Sequence, residues 1–430
     1  MSAPALSFEA LAEAYAAPAP FCLRLRLEEL TVGVCTNSAA LADDLRRYFA
    51  PFLCGAREGA AGRPGALPGG ASRCGAGEPA DLEFLFLDGP VREPLVELAV
   101  RQHLPGKKPD KERFADLPSA GVPGAEVSGS GALSGGGRLV RKQATGMLFL
   151  FGHGVNDANI AANIAIGPCA QNRNQLVNFI CARYMERRVA AGWLLGHAAG
   201  VALDTGERAK SLALCGFAGM GKSTLALHLL ARGCDFLSND RVLVEPRPGA
   251  APVLHGIPKH PRLNPGTALG NPELAPHLAR ALPDALRAAY AGLAPSALYA
   301  VEDKYDALID ECFGPERLGG VVSGFPDAPA DAPVGRSRFR LAAPLAGLVV
   351  LNWRHGGGPM QAQRVDLASR PDLLAALRKP PGVFYLPQAL ATSRLSAQHS
   401  LETLSGVRVL ELSGGSDFSA GAQACLEFLQ

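Results

Sequence analysis

The sequence lacks an excess of charge of either sign. Its 430 residues carry 42 Lys and Arg against 40 Asp and Glu, a net charge of +2. So weak a field gives no electrostatic case for a nucleic-acid or membrane-surface partner. No apolar run approaches the length of a bilayer span. The N-terminus has no basic segment followed by an apolar core, so no secretory leader is expected. No C-x-x-C pair is present: ten cysteines are scattered from Cys22 to Cys425, several within apolar runs. They are expected to be buried, reduced thiols of a cytoplasmic protein. No internal repeat is visible. With 48 % hydrophobic residues the chain has ample material for a core, and its length suggests two or three domains.

What is present centres on residues 211–240, SLALCGFAGMGKSTLALHLLARGCDFLSND. Residues 211–215 read as a buried strand, and the stretch after Ser223 as a helix. Between them Gly216, Phe217, Ala218, Gly219, Met220, Gly221, Lys222 and Ser223 match the phosphate-loop pattern G-x-x-x-x-G-K-[ST] without a mismatch. The glycines let backbone N–H groups wrap around phosphate oxygens, with a helix N-terminus behind them. Lys222 is expected to reach the β- and γ-phosphates of ATP, and the Ser223 hydroxyl to join the Mg²⁺ shell. Thr224 is expected at the α-phosphate.

Around this core the pattern divides in three. Residues 1–103 read as a small α+β module. In it Leu23, Leu25 and Leu27 alternate with charged residues as a half-buried strand, and Ser38 precedes a helix. Residues 104–137 are first charged and then almost wholly Gly, Ser, Ala, Pro and Val, a composition expected to form a flexible insertion. Residues 138–430 form the expected catalytic domain, of α/β class. It includes a helix over 174–188, an apolar strand over 345–353, a proline-braced loop over 258–267 and a closing helix over 418–429. Residues 304–314 suit either a helix or an ordered loop.

The central residues resemble the HPr kinase/phosphorylase catalytic domain, and more closely the bacterial group called HprK-related kinase B. In HPr kinases the strand after the loop ends in Asp-Asp-Arg-Val. Here that place is Asn239-Asp240-Arg241-Val242, with Asp240 18 residues after Lys222. A histidine on the strand before the loop is matched by His197 in HAAGVAL, a few residues further from the loop than the family pattern. The resemblance implies an HPr kinase-like fold, ATP and Mg²⁺ as cofactors, transfer to a hydroxyl, and a capacity for homo-oligomers. The acceptor is open, a protein serine among the candidates. The first aspartate of the pair is Asn239 here, and an amide is neither a carboxylate base nor a strong metal ligand.

Asp240 is thus the candidate base and metal ligand, and His197 a candidate either to orient it or to donate to a phosphate oxygen. Arg241, Lys259 and Arg262 are candidates to neutralise the moving phosphoryl group. Asp303, Lys304 and Asp306 are candidates for a nucleotide or acceptor contact. Two other functions stay open: a nucleotide-binding regulator with little turnover, and a small-molecule kinase.

Overall fold

The computed structural model describes residues 11–12, 17–54, 65–66, 72–73, 80–91, 111–117, 136–152, 162–204, 209–217, 219–290, 292–301, 304–314, 336–367, 369–378, 380–386 and 396–430. The fold is mixed α/β. The chain divides into two compact units: residues 1–190 with 381–391, and residues 191–380 with 392–430.

The first unit is built on a seven-stranded sheet. Its strands are β1 (Phe21–Leu27), β2 (Leu30–Thr36), β3 (Leu82–Asp88), β4 (Glu112–Leu117), β5 (Gly137–Lys142), β6 (Leu148–Gly152) and β7 (Ala162–Gly167). They lie in the order β1-β2-β3-β7-β6-β5-β4. β3 runs parallel to both β2 and β7, and the other pairs are antiparallel. Leu23, Leu25 and Leu27 of β1 are buried, as the alternation predicts. Helix α1 (Ala39–Tyr48) begins where expected, because the Ser38 hydroxyl accepts from the Leu41 N–H at 3.3 Å.

Three expectations are corrected here. The boundary at residue 138 falls inside this sheet, since β5, β6 and β7 pair into it and α2 (Arg173–Ala190) belongs to the same unit. The expected insertion contains strand β4, whose Asp116 lies opposite Arg138 of β5 and pairs with it at 2.6 Å. Residues 118–135 of that insertion lie outside the described residues. Finally, Cys22 and Cys35, directly opposite on β1 and β2, form a disulfide rather than free thiols. Alternation along a hairpin put both sulfurs on one face, a relation that separation in sequence conceals. The other described cysteines are free, and burial pushes the thiols of Cys169, Cys215, Cys234, Cys312 and Cys425 up to about 12.

Helix α2 buries Leu176, Phe179 and Ile180, as its spacing predicts. It also buries Arg183 and Glu186, which pair with each other. Two buried charges persist only when their remaining polar atoms are satisfied. Arg183 Nε donates to Asn163 Oδ1 at 2.9 Å, and Glu186 accepts from the Leu386 N–H at 2.6 Å. Beside them Phe84, Phe149, Phe151, Phe179 and Phe384 form an edge-to-face aromatic cluster.

The second unit holds a nine-stranded mixed sheet. Its strands are β8 (Leu194–Gly196), β9 (Ala198–Asp204), β10 (Ala209–Gly216), β11 (Asp235–Ser238), β12 (Val242–Glu245), β13 (Val253–His255), β16 (Ala342–Leu351), β17 (Gln361–Val365) and β18 (Arg408–Ser413). The main path is β8-β12-β13-β16-β10-β9-β11, with β18 added to β16 and β17 to β18. A separate two-stranded ribbon joins β14 (Arg262–Leu263) to β15 (Tyr305–Asp306). The two ends of the main path are halves of one bent antiparallel ribbon. Leu194 faces Val244 and Gly196 faces Val242; beyond the bend, Gly200 faces Ser238 in the same register. The sheet therefore curls until its ends meet.

The curl demands close approach. A Cβ at Gly256, just past β13, would overlap the Leu237 carbonyl oxygen of β11. Gly256→Ala is expected to cost about 2–3 kcal/mol, because the obstruction is backbone and cannot rotate away. Both tryptophans, Trp193 and Trp353, lie in this unit, so tryptophan fluorescence in a urea titration reports it alone. An unchanged midpoint would contradict the close approach.

Candidate functional site

The strand, loop and helix around residues 216–223 are present as expected. β10 ends at Gly216, and helix α3 (Lys222–Ala231) begins at Lys222 with Gly221 as its N-cap. Gly219 and Gly221 adopt φ of 81° and 79°, values that favour glycine. Gly221 is required twice over, since a Cβ there would lie 2.5 Å from the Phe418 ring. Ala218 lies outside the described residues.

The loop is folded around its own lysine. Lys222 is buried, and its Nζ donates to the carbonyls of Gly216 at 2.8 Å and Phe217 at 3.2 Å. A charged amine bonded to neutral carbonyls gains by exchanging them for anionic oxygens. No side chain caps the first turn of α3, so its N–H groups point into the loop. Among the described residues the Ser223 and Thr224 hydroxyls, both half-buried, have no hydrogen-bond partner. These features fit a phosphate group and its cation. Phe217 stands 53 % exposed at the loop's second position.

The sheet brings His197 and Asp240 to the same edge. β9 runs antiparallel to β10, with Ala198 opposite Cys215. The register is the same on both sides of the bend, at Gly196–Val242 and Gly200–Ser238, and carried across the unpaired residues it sets His197, Ala198 and Ala199 beside Arg241, Asp240 and Asn239. Asp240 is therefore two strand spacings from the end of β10, roughly 10 Å. His197 Nδ1 lies 2.9 Å from the Asp240 carbonyl oxygen and 3.2 Å from its Oδ1. Both partners are acceptors, so Nδ1 carries the proton and donates to them. The His197 N–H in turn donates to the Leu377 carbonyl at 2.6 Å. Asn239 occupies the same bend.

The remaining candidates separate. Arg241 lies 3.9 Å from Asp240 and donates to the Pro380 carbonyl at 3.2 Å, which fixes it beside the aspartate. Arg262 is paired elsewhere: it sits opposite Asp306 on the two-stranded ribbon, 3.6 Å from its carboxylate, and donates to the Lys304 carbonyl. Residues 304–314 are thus a short strand followed by a helix, Ile309–Phe313. Lys259 is half-buried in the loop that follows Gly256. Asp303 lies outside the described residues.

Several groups at this edge were not apparent in the sequence. β16 is the parallel neighbour of β10, with Leu351 opposite Gly216, and β18 is parallel beyond it. Three parallel strands thus end together, the place where open α/β sheets bind ligands. Trp353 Nε1–H, just past β16, donates to the Met220 carbonyl at 2.9 Å and holds the loop from one side. Phe418, at the start of α4 (Phe418–Leu429), packs against Trp353 and stacks on His228 at 5.6 Å. Asn352 Nδ2 donates to Glu411 Oε1 at 2.7 Å, and Arg370 Nη1 to Glu411 Oε2 at 2.9 Å. Burial alone would raise the pKa of the Glu411 carboxyl; the hydrogen bonds from Arg370 and Asn352 outweigh it and hold the group below the usual carboxylate range. The one visible signal was the apolar run ending at Trp353, which locates the strand but not its neighbours.

Neither the comparison with protein-family models nor the search of curated proteins returns a match. No described helix is long and apolar enough to cross a membrane. Among the described residues no cluster of three or more His, Cys, Asp or Glu is arranged to hold a metal on its own.

Behind the loop, His228 of α3 is buried and locked in one tautomer. Its Nε2 accepts from Asn271 Nδ2 at 3.0 Å, so Nδ1–H donates to Glu273 at 3.0 Å. Burial lowers its pKa and outweighs the Glu273 carboxylate, which would raise it. The neutral form is thus the folded form. Below the unfolded value of 6.5 the unfolded chain binds a proton that the folded chain does not, so stability falls as pH falls. Between pH 7.5 and 5.5 urea stability is expected to drop more in wild type than in His228→Gln, by at most about 1.4 kcal/mol per pH unit. Equal pH profiles would mean that His228 is not buried neutral.

Proposed function

We propose that the chain is an ATP-dependent phosphotransferase of the HPr kinase type, moving the terminal phosphate of ATP onto a hydroxyl. The observation that carries this is the register that sets His197 one strand and Asp240 two strands from the end of β10, at the edge where the Lys222 loop begins. A phosphate loop alone indicates phosphate binding. A carboxylate held by a histidine at the same sheet edge adds a group that can take a proton.

The roles follow from the contacts. Phosphate oxygens replace the Gly216 and Phe217 carbonyls as partners of Lys222, and the loop N–H groups bind the same oxygens. Ser223 and Asp240 are the residues to hold Mg²⁺, which when bound supplies charge neutralisation at the β- and γ-phosphates. Asp240, fixed by the His197 Nδ1–H, accepts the proton of the acceptor hydroxyl. The acceptor oxygen bonds to phosphorus as the bond from phosphorus to the bridging oxygen breaks, and ADP leaves with that electron pair. The acceptor is a protein serine or a smaller alcohol; a phosphate loop selects neither.

Asn239 favours a second reading. Where the first carboxylate of the pair is an amide, nucleotide binding can persist with little transfer, as in a regulatory module. The two readings separate in a lysate of the native organism given Mg²⁺ and γ-labelled ATP. With wild type a protein or small molecule is expected to take up label. With Lys222→Ala or Asp240→Asn the signal is expected to fall at least about a hundredfold. Tight ATP binding with nothing labelled would support the regulatory reading, and a chain that binds no ATP would contradict both.

A further inference from the structure

We propose that Arg354 is the basic side chain that meets the terminal phosphate of the bound nucleotide, an inference that rests on the phosphate-loop reading above. Its place is set by strand pairing. Leu351 lies opposite Gly216, the last residue of β10. Beyond β16 the parallel register with β18 continues to a bridge between Arg354 and Gly415. Arg354 therefore sits just past the carboxyl end of the strand beside the loop. One residue before it, the Trp353 ring is bonded to the loop itself through Met220.

The mounting is rigid because it excludes side chains. A Cβ at Gly357 would overlap the Gly414 carbonyl, and one at Gly415 would overlap the Gly358 carbonyl. The two loops 354–359 and 413–416 therefore interlock backbone to backbone. Arg354 N–H donates to the Gly414 carbonyl at 2.9 Å, and the Arg354 carbonyl accepts from Gly357 at 3.2 Å and Ser416 at 3.2 Å. So firm a seat for an exposed residue is more than a solvated surface charge requires.

The chemistry calls for a cation here. A nucleoside triphosphate brings more negative charge than Lys222 offsets, and transfer is favoured by fixed positive charge at the terminal phosphate. Arg241 is fastened to the Pro380 carbonyl beside Asp240, and Arg262 to the ribbon at Asp306. Among the described residues the Arg354 guanidinium has no ion-pair or hydrogen-bond partner. Its planar fork suits two oxygens of one phosphate.

The test is calorimetric titration of the full chain with Mg·ATP and Mg·ADP, for wild type, Arg354→Ala, Arg354→Gln and Arg354→Lys, with thermal melting of each. The alanine and glutamine variants are expected to weaken ATP roughly tenfold to a hundredfold and to leave ADP within about twofold, with lysine intermediate and melting unchanged. Wild-type binding of ATP with no loss in Arg354→Ala or Arg354→Gln would overturn this inference alone. Equal weakening of ATP and ADP would overturn it as well, by removing the terminal phosphate as the contact. A wild-type chain that binds neither nucleotide would overturn the phosphate-loop reading, and this inference with it.

Discussion

One antiparallel register holds on both sides of the bend at His197 and Asp240, and the second unit is built around it. One ribbon supplies both ends of the curled sheet, so the bend can lie only where the pairing pauses, at Asn239, Asp240 and Arg241 opposite residues 197–199. The pairing of β9 with β10 then brings the start of the phosphate-loop sequence alongside that bend. Loop and carboxylate share one edge because of hydrogen-bonded strands rather than a flexible connection. The tight passage at Gly256 and the small residues along β9 follow from the same curl, since a larger side chain at Gly200 would press on Leu237 and Val242.

The loop itself is held from three sides. Lys222 fills it from within, Trp353 grips the Met220 carbonyl, and the Phe418 ring occupies the space that Gly221 leaves. His228 lies under Phe418 and is kept neutral by burial, so the folded state behind the loop gains stability as pH rises toward neutrality. Each unit holds a buried charged group met by several polar partners. Arg183 and Glu186 face each other and backbone partners in the first unit, and Glu411 is met by Arg370 and Asn352 in the second. Such pairs contribute geometry more than stability, since desolvation offsets most of their attraction.

Local patterns were the legible part. The glycines, Lys222 and Ser223 announce strand, loop and helix because each needs a specific backbone shape within a few residues. The alternation of β1, the Ser38 cap and the closing helix α4 are local in the same sense. Pairings between distant segments were not legible. Nothing in the residues of β16 says that it lies parallel to β10, and so Trp353, Asn352 and Arg354 went unnoticed beside the loop. The link from His197 to Asp240 was suggested by resemblance to a family, not by spacing. Composition misplaced the boundary near residue 138, because glycine and serine mark a loop and not the edge of a sheet. Alternation on β1 and β2 likewise set Cys22 against Cys35 where scattered positions suggested free thiols.

The central claim is that residues 216–224 bind the phosphates of a nucleotide with Asp240 directed at the same site. A crystal structure of the chain with Mg²⁺ and a non-hydrolysable ATP analogue tests it most directly. Lys222 Nζ is expected to leave the Gly216 and Phe217 carbonyls for the β- and γ-phosphate oxygens. The cation is expected at Ser223 and Asp240. A nucleotide bound elsewhere, or a loop that keeps Lys222 on its own carbonyls with the analogue bound, would contradict it.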